Sequence, residues 1–284
     1  MLFRSPGSSR FRADRLAVAV FLVAVIFVMV PRWYYDNWLT EYDIFTFFLP
    51  WYGMGGDRLR DLDIPGWTPY FLSGTPLAGD ASAGWMYAPV MLAFSLLSVT
   101  TAFKMMILVQ VVIGGLSTYA LSRVLGFAPI AALAATTAFA FGPYLAGQTD
   151  YTTIGGQVST WIPVALLGIE LSLRAPRLIS RIAWWSLSGF AISQIAVSWP
   201  GQGLIDALLI VAGWVFYRAV LSPPFTNQSP INAPSPTAKS GRRTLFGVAS
   251  PEIRRRVFWA AITGIAVVGI GMALGAAGIL PRLD

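Results

Sequence analysis

The stretch that decides the fold runs from Leu16 to Val30, LAVAVFLVAVIFVMV, fifteen residues without a polar side chain. Arg15 precedes it and Pro31-Arg32-Trp33 follows it. The basic residues ahead of it, Arg4, Arg10, Arg12 and Arg15, would suit the start of a secretory signal. No small-x-small cleavage site follows, however, and the bulky aromatics that do follow are typical of a membrane interface. The segment reads as a retained membrane helix.

Six further apolar stretches lie at about 102–122, 128–146, 158–173, 182–199, 203–220 and 257–279. Several are shorter than the roughly 20 residues that cross a bilayer core, and snorkelling Arg and Lys at their ends extend them. Composition agrees. The 284 residues are 56% hydrophobic and 12% charged, with a mean hydropathy of +0.63, whereas a soluble domain carries about 25% charged residues. The expected fold is all-α, a polytopic integral membrane protein with about seven transmembrane helices.

The chain has no cysteine and no histidine. That removes disulfides, thiolate nucleophiles, Cys/His zinc sites and Ser-His-Asp triads. Chemistry is left to carboxylates, amides, hydroxyls, Arg, Lys or a borrowed metal.

A net charge of +7 suggests nucleic acid until the charges are placed. With the N-terminus in the cytoplasm, fifteen basic residues fall inside: Arg4, Arg10, Arg12, Arg15, Arg123, Arg174, Arg177, Arg181, Arg218, Lys239, Arg242, Arg243, Arg254, Arg255 and Arg256. Arg32, Arg58, Arg60, Lys104 and Arg282 fall outside. This is the positive-inside pattern. It predicts a multi-pass protein of the inner (plasma) membrane with a cytoplasmic N-terminus, in contact with membrane lipid and not with nucleic acid. Seven of the thirteen acids instead gather between Asp36 and Asp80, on the predicted outer side.

The organisation follows from these placements. Residues 1–15 form a cytoplasmic tail, and 16–220 form a transmembrane module with a long outer loop at 33–101. Residues 221–256 form a Pro/Ser-rich cytoplasmic linker, and 257–284 hold the seventh helix and an abrupt end that suggests a fragment of a longer chain. Within the outer loop, Tyr42–Tyr52 (YDIFTFFLPWY) is too short to span and too apolar to leave the surface. It predicts an interfacial helix ending at Gly53, Gly55 and Gly56. Asp57–Asp80 reads as an irregular, tightly turned segment. Tyr87–Ser98 predicts a second interfacial helix, or else the first part of a kinked second span.

Asp43 to Gly126 resembles the bacterial YfhO family of membrane proteins, relatives of the GT-C glycosyltransferases. The likeness is carried by Asp43, by Ile64-Pro65-Gly66-Trp67-Thr68-Pro69-Tyr70, by Ser73-Gly74-Thr75-Pro76-Leu77, by Met86-Tyr87-Ala88-Pro89 and by Thr118-Tyr119-Ala120-Leu121-Ser122-Arg123-Val124-Leu125-Gly126. Trp161-Ile162-Pro163 and Gly278–Asp284 extend it. Ser198-Trp199-Pro200-Gly201-Gln202 departs from the family, which often carries a His at that point. The resemblance implies transfer of a sugar from a polyprenyl-phosphate donor to a cell-envelope acceptor on the outer face. The alternative is a non-catalytic membrane component, such as a lipid-linked saccharide transporter or an assembly partner.

Such transfer needs a carboxylate to accept the acceptor's proton and donors to stabilise the departing phosphate. Asp43 is the candidate base, with Glu41 beside it. Asp80 could pair with Asp43 or share a divalent metal with it through oxygen ligands. Arg58, Arg60 and Lys104 are candidates for the phosphate, and Trp67 and Trp85 for stacking on a sugar. Asp206, inside the outer third of a span, is a further binding candidate. The plainer readings are helix caps for Glu41 and Asp43, a turn for Asp80 and a solvated loop for Asp57, Asp61 and Asp63. Glu170 is expected to pair with Arg174 at i,i+4.

Overall fold

The apolar stretches fold as long helices in a computed structural model, which describes residues 8–35, 42–64, 66–71, 73–80, 82–142, 145, 153–222 and 251–282. Helix α1 (Ser8–Tyr35) starts eight residues before Leu16 and runs through Pro31. Its buried stripe is Ala17, Phe21, Val25 and Met29, one residue per turn. Most of its other apolar side chains are exposed, as lipid-facing residues would be.

The long loop after α1 contains two short helices. A π-helical turn (Ile44–Phe48) leads directly into α2 (Leu49–Arg60), and α3 spans Ala88–Leu96. The expected stop at the glycines does not occur. Gly56 lies so close to the Phe94 carbonyl that a Cβ there would collide with it, so this glycine serves the α2–α3 crossing. Between the two helices, β1 (Trp67–Thr68) pairs antiparallel with β2 (Thr75–Pro76), Trp67 opposite Pro76. Leu97 and Ser98 are extended, so α3 and α4 (Val99–Val124) are separate helices.

Next come α5 (Pro129–Ala140), α6 (Ile154–Arg174), α7 (Leu178–Ser198) and α8 (Gln202–Phe216, closed by a π turn at Tyr217–Leu221). The last helix is α9 (Pro251–Ile279). Proline in the first turn of α3 and α5 has the preset φ that favours helix starts. Among the described residues five segments are long and apolar enough to cross a membrane: Phe11–Tyr35, Val99–Val124, Ile154–Arg174, Gln202–Ala219 and Arg254–Ile279. Two expected spans fall short of that standard. Helix α5 has 12 residues and gives way to bends at Phe141 and Gly142, just before Pro143, where the α conformation is disfavoured. Helix α7 has 21 residues but carries Ser186, Ser188, Ser193 and Gln194. It packs most extensively of all on α6 and α9, so Ser188, Ser193 and Gln194 are buried against protein, while the exposed Ser186 returns its hydroxyl to the Ile182 carbonyl. Gly189 and Gly271 bring α7 and α9 together, with the Ile192 side chain 2.7 Å from where a Gly271 Cβ would be.

Side-chain contacts sort the helix ends into two groups. At one end Arg123 and Tyr119 of α4 hold Asp14 of α1 (each 2.6 Å to Oδ1), and Arg174 and Arg218 hold Glu170. There also Arg181 of α7 stacks 4.4 Å over the Trp259 ring of α9. At the opposite end Lys104 donates to the Trp33 carbonyl (3.0 Å), Gln194 accepts from the Ala88 amide (2.8 Å) and Trp85 donates to the Ala277 carbonyl (3.1 Å). Helix α1 therefore runs from the first end to the second and α4 runs back; α6 is parallel to α4, and α7, α8 and α9 then alternate. The long loop sits on the second end.

Candidate functional site

The loop helices rest on a floor of aromatic rings. Phe47 stacks near Trp51 (centroids 5.0 Å apart), and Phe71, brought over by the β1–β2 turn, meets both edge-on at 5.9 and 5.1 Å. Two open cavities flank this cluster and share Thr46 and Phe71 in their walls. The larger, about 660 Å³, includes Asp57, Tyr70 and Val99. The smaller, about 490 Å³, includes Tyr42, Asp43, Phe48 and Ile154. Asp43 is exposed, and its side chain caps no helical amide. Its carboxylate is therefore presented to the smaller cavity beside the Thr46 hydroxyl, which is itself turned back onto the Tyr42 carbonyl (2.7 Å).

Beneath the floor runs a buried polar seam between loop and bundle. The Tyr52 hydroxyl accepts from Gln157 Nε2 (2.8 Å) and lies 3.5 Å from the Thr153 hydroxyl. The Tyr87 hydroxyl accepts from Trp161 Nε1 (3.2 Å) and from Gln110 Nε2 (3.5 Å). Burial pushes Tyr52 up to about 12, against the pull of Thr153 and Gln157, with the nearby Asp80 charge adding to the rise. Burial raises Tyr87 as well. Both remain neutral hydroxyls at ordinary pH, so they position and do not act as bases. Met86 and Thr153, each next to this seam, have φ of 65° and 57°, left-handed values that a non-glycine residue adopts at a cost of about 1–3 kcal/mol. Gly84, at φ 72°, has the Tyr52 ring where a Cβ would lie, 2.8 Å away.

The other sequence candidates are dispersed. Asp80 Oδ1 accepts from the Ser82 amide (2.7 Å), an Asx turn, and Asp80 is not in the wall of the Asp43 cavity. Among the described residues no hydrogen bond joins Asp43 to Asp80. Glu41 lies outside the described residues. Arg58 pairs with Asp63. Arg60 is committed on every side: it donates to Asp57 (2.8 Å) and to the carbonyls of Phe94, Ser95 and Leu97 at 2.9, 3.1 and 2.8 Å, closing the C-terminus of α3. Trp67 is 56% exposed and covers Gly74, while Trp85 ties the loop to α9. Asp206 is exposed in the wall of a separate cavity of about 590 Å³, with Phe139, Ser159 and Trp199.

Among the described residues no group of three or more His, Cys, Asp or Glu could hold a metal ion.

No family model, curated protein or solved structure matches the chain. The likeness to the YfhO family therefore rests on the residues quoted above. The structure gives several of them neighbours: Tyr87 meets Trp161, and Tyr119 and Arg123 meet Asp14. Sequence reasoning missed Tyr52, Thr153 and Gln157, which are an ordinary aromatic and two ordinary polar residues until the loop folds onto α6.

Proposed function

We propose that the protein is a seven-span membrane component of the inner (plasma) membrane, N-terminus cytoplasmic, that transfers a sugar from a polyprenyl-phosphate donor to a cell-envelope acceptor on the outer face. The observation that carries this reading is the placement of Asp43. It is an exposed carboxylate in the wall of an aromatic cavity, at the end of the helices where the acid-rich loop sits. An apolar floor suits a polyprenyl chain or the face of a sugar ring, and Asp43 has the position for accepting a hydroxyl proton. The seven-span count is supported by the parallel course of α4 and α6, which leaves α5 to carry the chain back between them, and the orientation by the basic residues collected at the Asp14–Glu170 end.

One observation favours the non-catalytic alternative. Among the described residues the wall around Asp43 contains no Arg or Lys, and a departing phosphate needs a positive partner. Both readings predict binding of the lipid-linked sugar, and only transfer predicts turnover through Asp43. In membranes supplied with polyprenyl-phosphate sugar, Asp43→Asn is expected to cut transfer by roughly 10²–10⁴-fold while leaving membrane insertion intact. Asp61→Asn, on an exposed turn outside both cavities, is the control and should retain the rate. Transfer at the parental rate by Asp43→Asn would sink the catalytic reading.

A further inference from the structure

We propose that the groove between α8 and α9 holds one acyl chain of an anionic phospholipid, with the lipid phosphate on Arg254. The groove encloses about 540 Å³ between two helices that each qualify as membrane spans. Its walls are wholly apolar, with Val211, Val215 and Ala219 facing Val257, Gly264 and Val268. From Val257 to Val268 the helix rises about 16 Å, the depth of one leaflet's hydrocarbon.

The charge at its end argues for an anionic occupant. Arg254 precedes Val257 by three residues and so continues the groove-facing stripe of α9 beyond its apolar part. Arg254 and Arg255 are exposed, and neither forms an ion pair with a described residue. They stand near a helix N-terminus, whose dipole already carries partial positive charge, so cations there are unfavourable without an anion. Arg174, Arg181 and Arg218 lie at the same end. Against these stand Glu170, which Arg174 and Arg218 already hold, and Glu252 in the sequence of α9. The excess is positive, and a phosphate with a chain beneath it satisfies both charge and groove.

The test uses the full chain purified in detergent, with retained and added lipid measured by native mass spectrometry. Phosphatidylglycerol should bind in preference to phosphatidylcholine with the same chains. Arg254→Gln should weaken phosphatidylglycerol about fivefold, the effect of one basic group near a phosphate. Gly264→Leu is the second variant. A Cβ at Gly264 meets nothing within 4 Å, so the leucine fills the groove and leaves the backbone where it is. It should cut binding about tenfold by displacing the chain, with an unchanged melting temperature. Equal binding of the two lipids overturns the proposal. So does undiminished binding by Gly264→Leu, which would mean a merely superficial attraction to the arginines, or a crosslink from residue 261 to a second copy or to residues 223–250 instead of lipid. None of these results bears on Asp43.

Discussion

Tyr52 has its hydroxyl wedged between Gln157 and Thr153, fully buried, with its pKa pushed up from 10 to about 12. The sign of its pH dependence follows from that. Between pH 10 and 12 the folded state retains a proton that the unfolded chain has lost. Its contribution is therefore complete below pH 10 and is lost as pH rises through 12, at up to about 1.4 kcal/mol per pH unit. Tyr52→Phe should flatten the alkaline part of a melting-temperature profile in detergent. It should also lower stability at pH 7 by about 1–3 kcal/mol, because the buried Gln157 amide loses the nearer of its two acceptors and keeps only Thr153 at 3.4 Å. An alkaline slope that survives the substitution unchanged would assign the loss to other groups. None of this was legible in the sequence. Gln157 is 105 residues from Tyr52, and nothing local marks either as a partner. Asp43, by contrast, could be singled out from chain position alone, since an acid between an apolar span and an aromatic run must lie near the membrane surface.

Glycine shows where element-scale reading succeeds and fails. Gly53, Gly55 and Gly56 look like a helix terminator, yet α2 continues four residues past Gly56. Local propensity costs about 1 kcal/mol per glycine, and the tertiary crossing with α3 overrides it, reinforced by Arg60 closing the far end of that helix. The two neighbouring glycines should therefore behave oppositely. A Cβ at Gly55 meets nothing within 4 Å, so Gly55→Ala should raise stability by up to about 1 kcal/mol. At Gly56 the Cβ would enter the Phe94 backbone, with the carbonyl carbon 2.6 Å away, and overpacking of this kind costs about 1–3 kcal/mol. Thermal denaturation of the pair reads both signs, and equal effects would mean that the crossing is loose. The long spans were legible because lipid demands an apolar surface. Helix α7 is at the edge of that rule, its Ser188, Ser193 and Gln194 hidden by neighbours that a hydropathy window does not see.

At the scale of the molecule, the two ends of the bundle differ in kind. The Asp14–Arg123 and Glu170–Arg174–Arg218 clusters fasten one end with ion pairs, Glu170 fully buried between two guanidiniums. The other end is closed by tyrosine, tryptophan and glutamine hydrogen bonds under the acid-rich loop. Basic residues are retained on the cytoplasmic side of membranes, so the ion-paired end should face the cytoplasm and the loop should face outward. Because the native chain has no cysteine, single cysteines can report this without a background to remove. Asp61→Cys, exposed beyond the end of α2, should react with a membrane-impermeant maleimide on intact cells. Phe127→Cys, 51% exposed beyond α4, and Ser235→Cys, in the sequence between α8 and α9, should react only after the membrane is opened. The three variants also test the number of crossings. Positions 127 and 235 are separated by α5 to α8, so they share a side only if an even number of these helices cross. Labelling of the Ser235→Cys variant but not of Phe127→Cys on intact cells would mean that one of them, the 12-residue α5 first among them, does not traverse the bilayer. Labelling of Phe127→Cys but not of Asp61→Cys would reverse the faces, and Asp43 would then open onto the cytoplasm, where no outer-face acceptor could reach it.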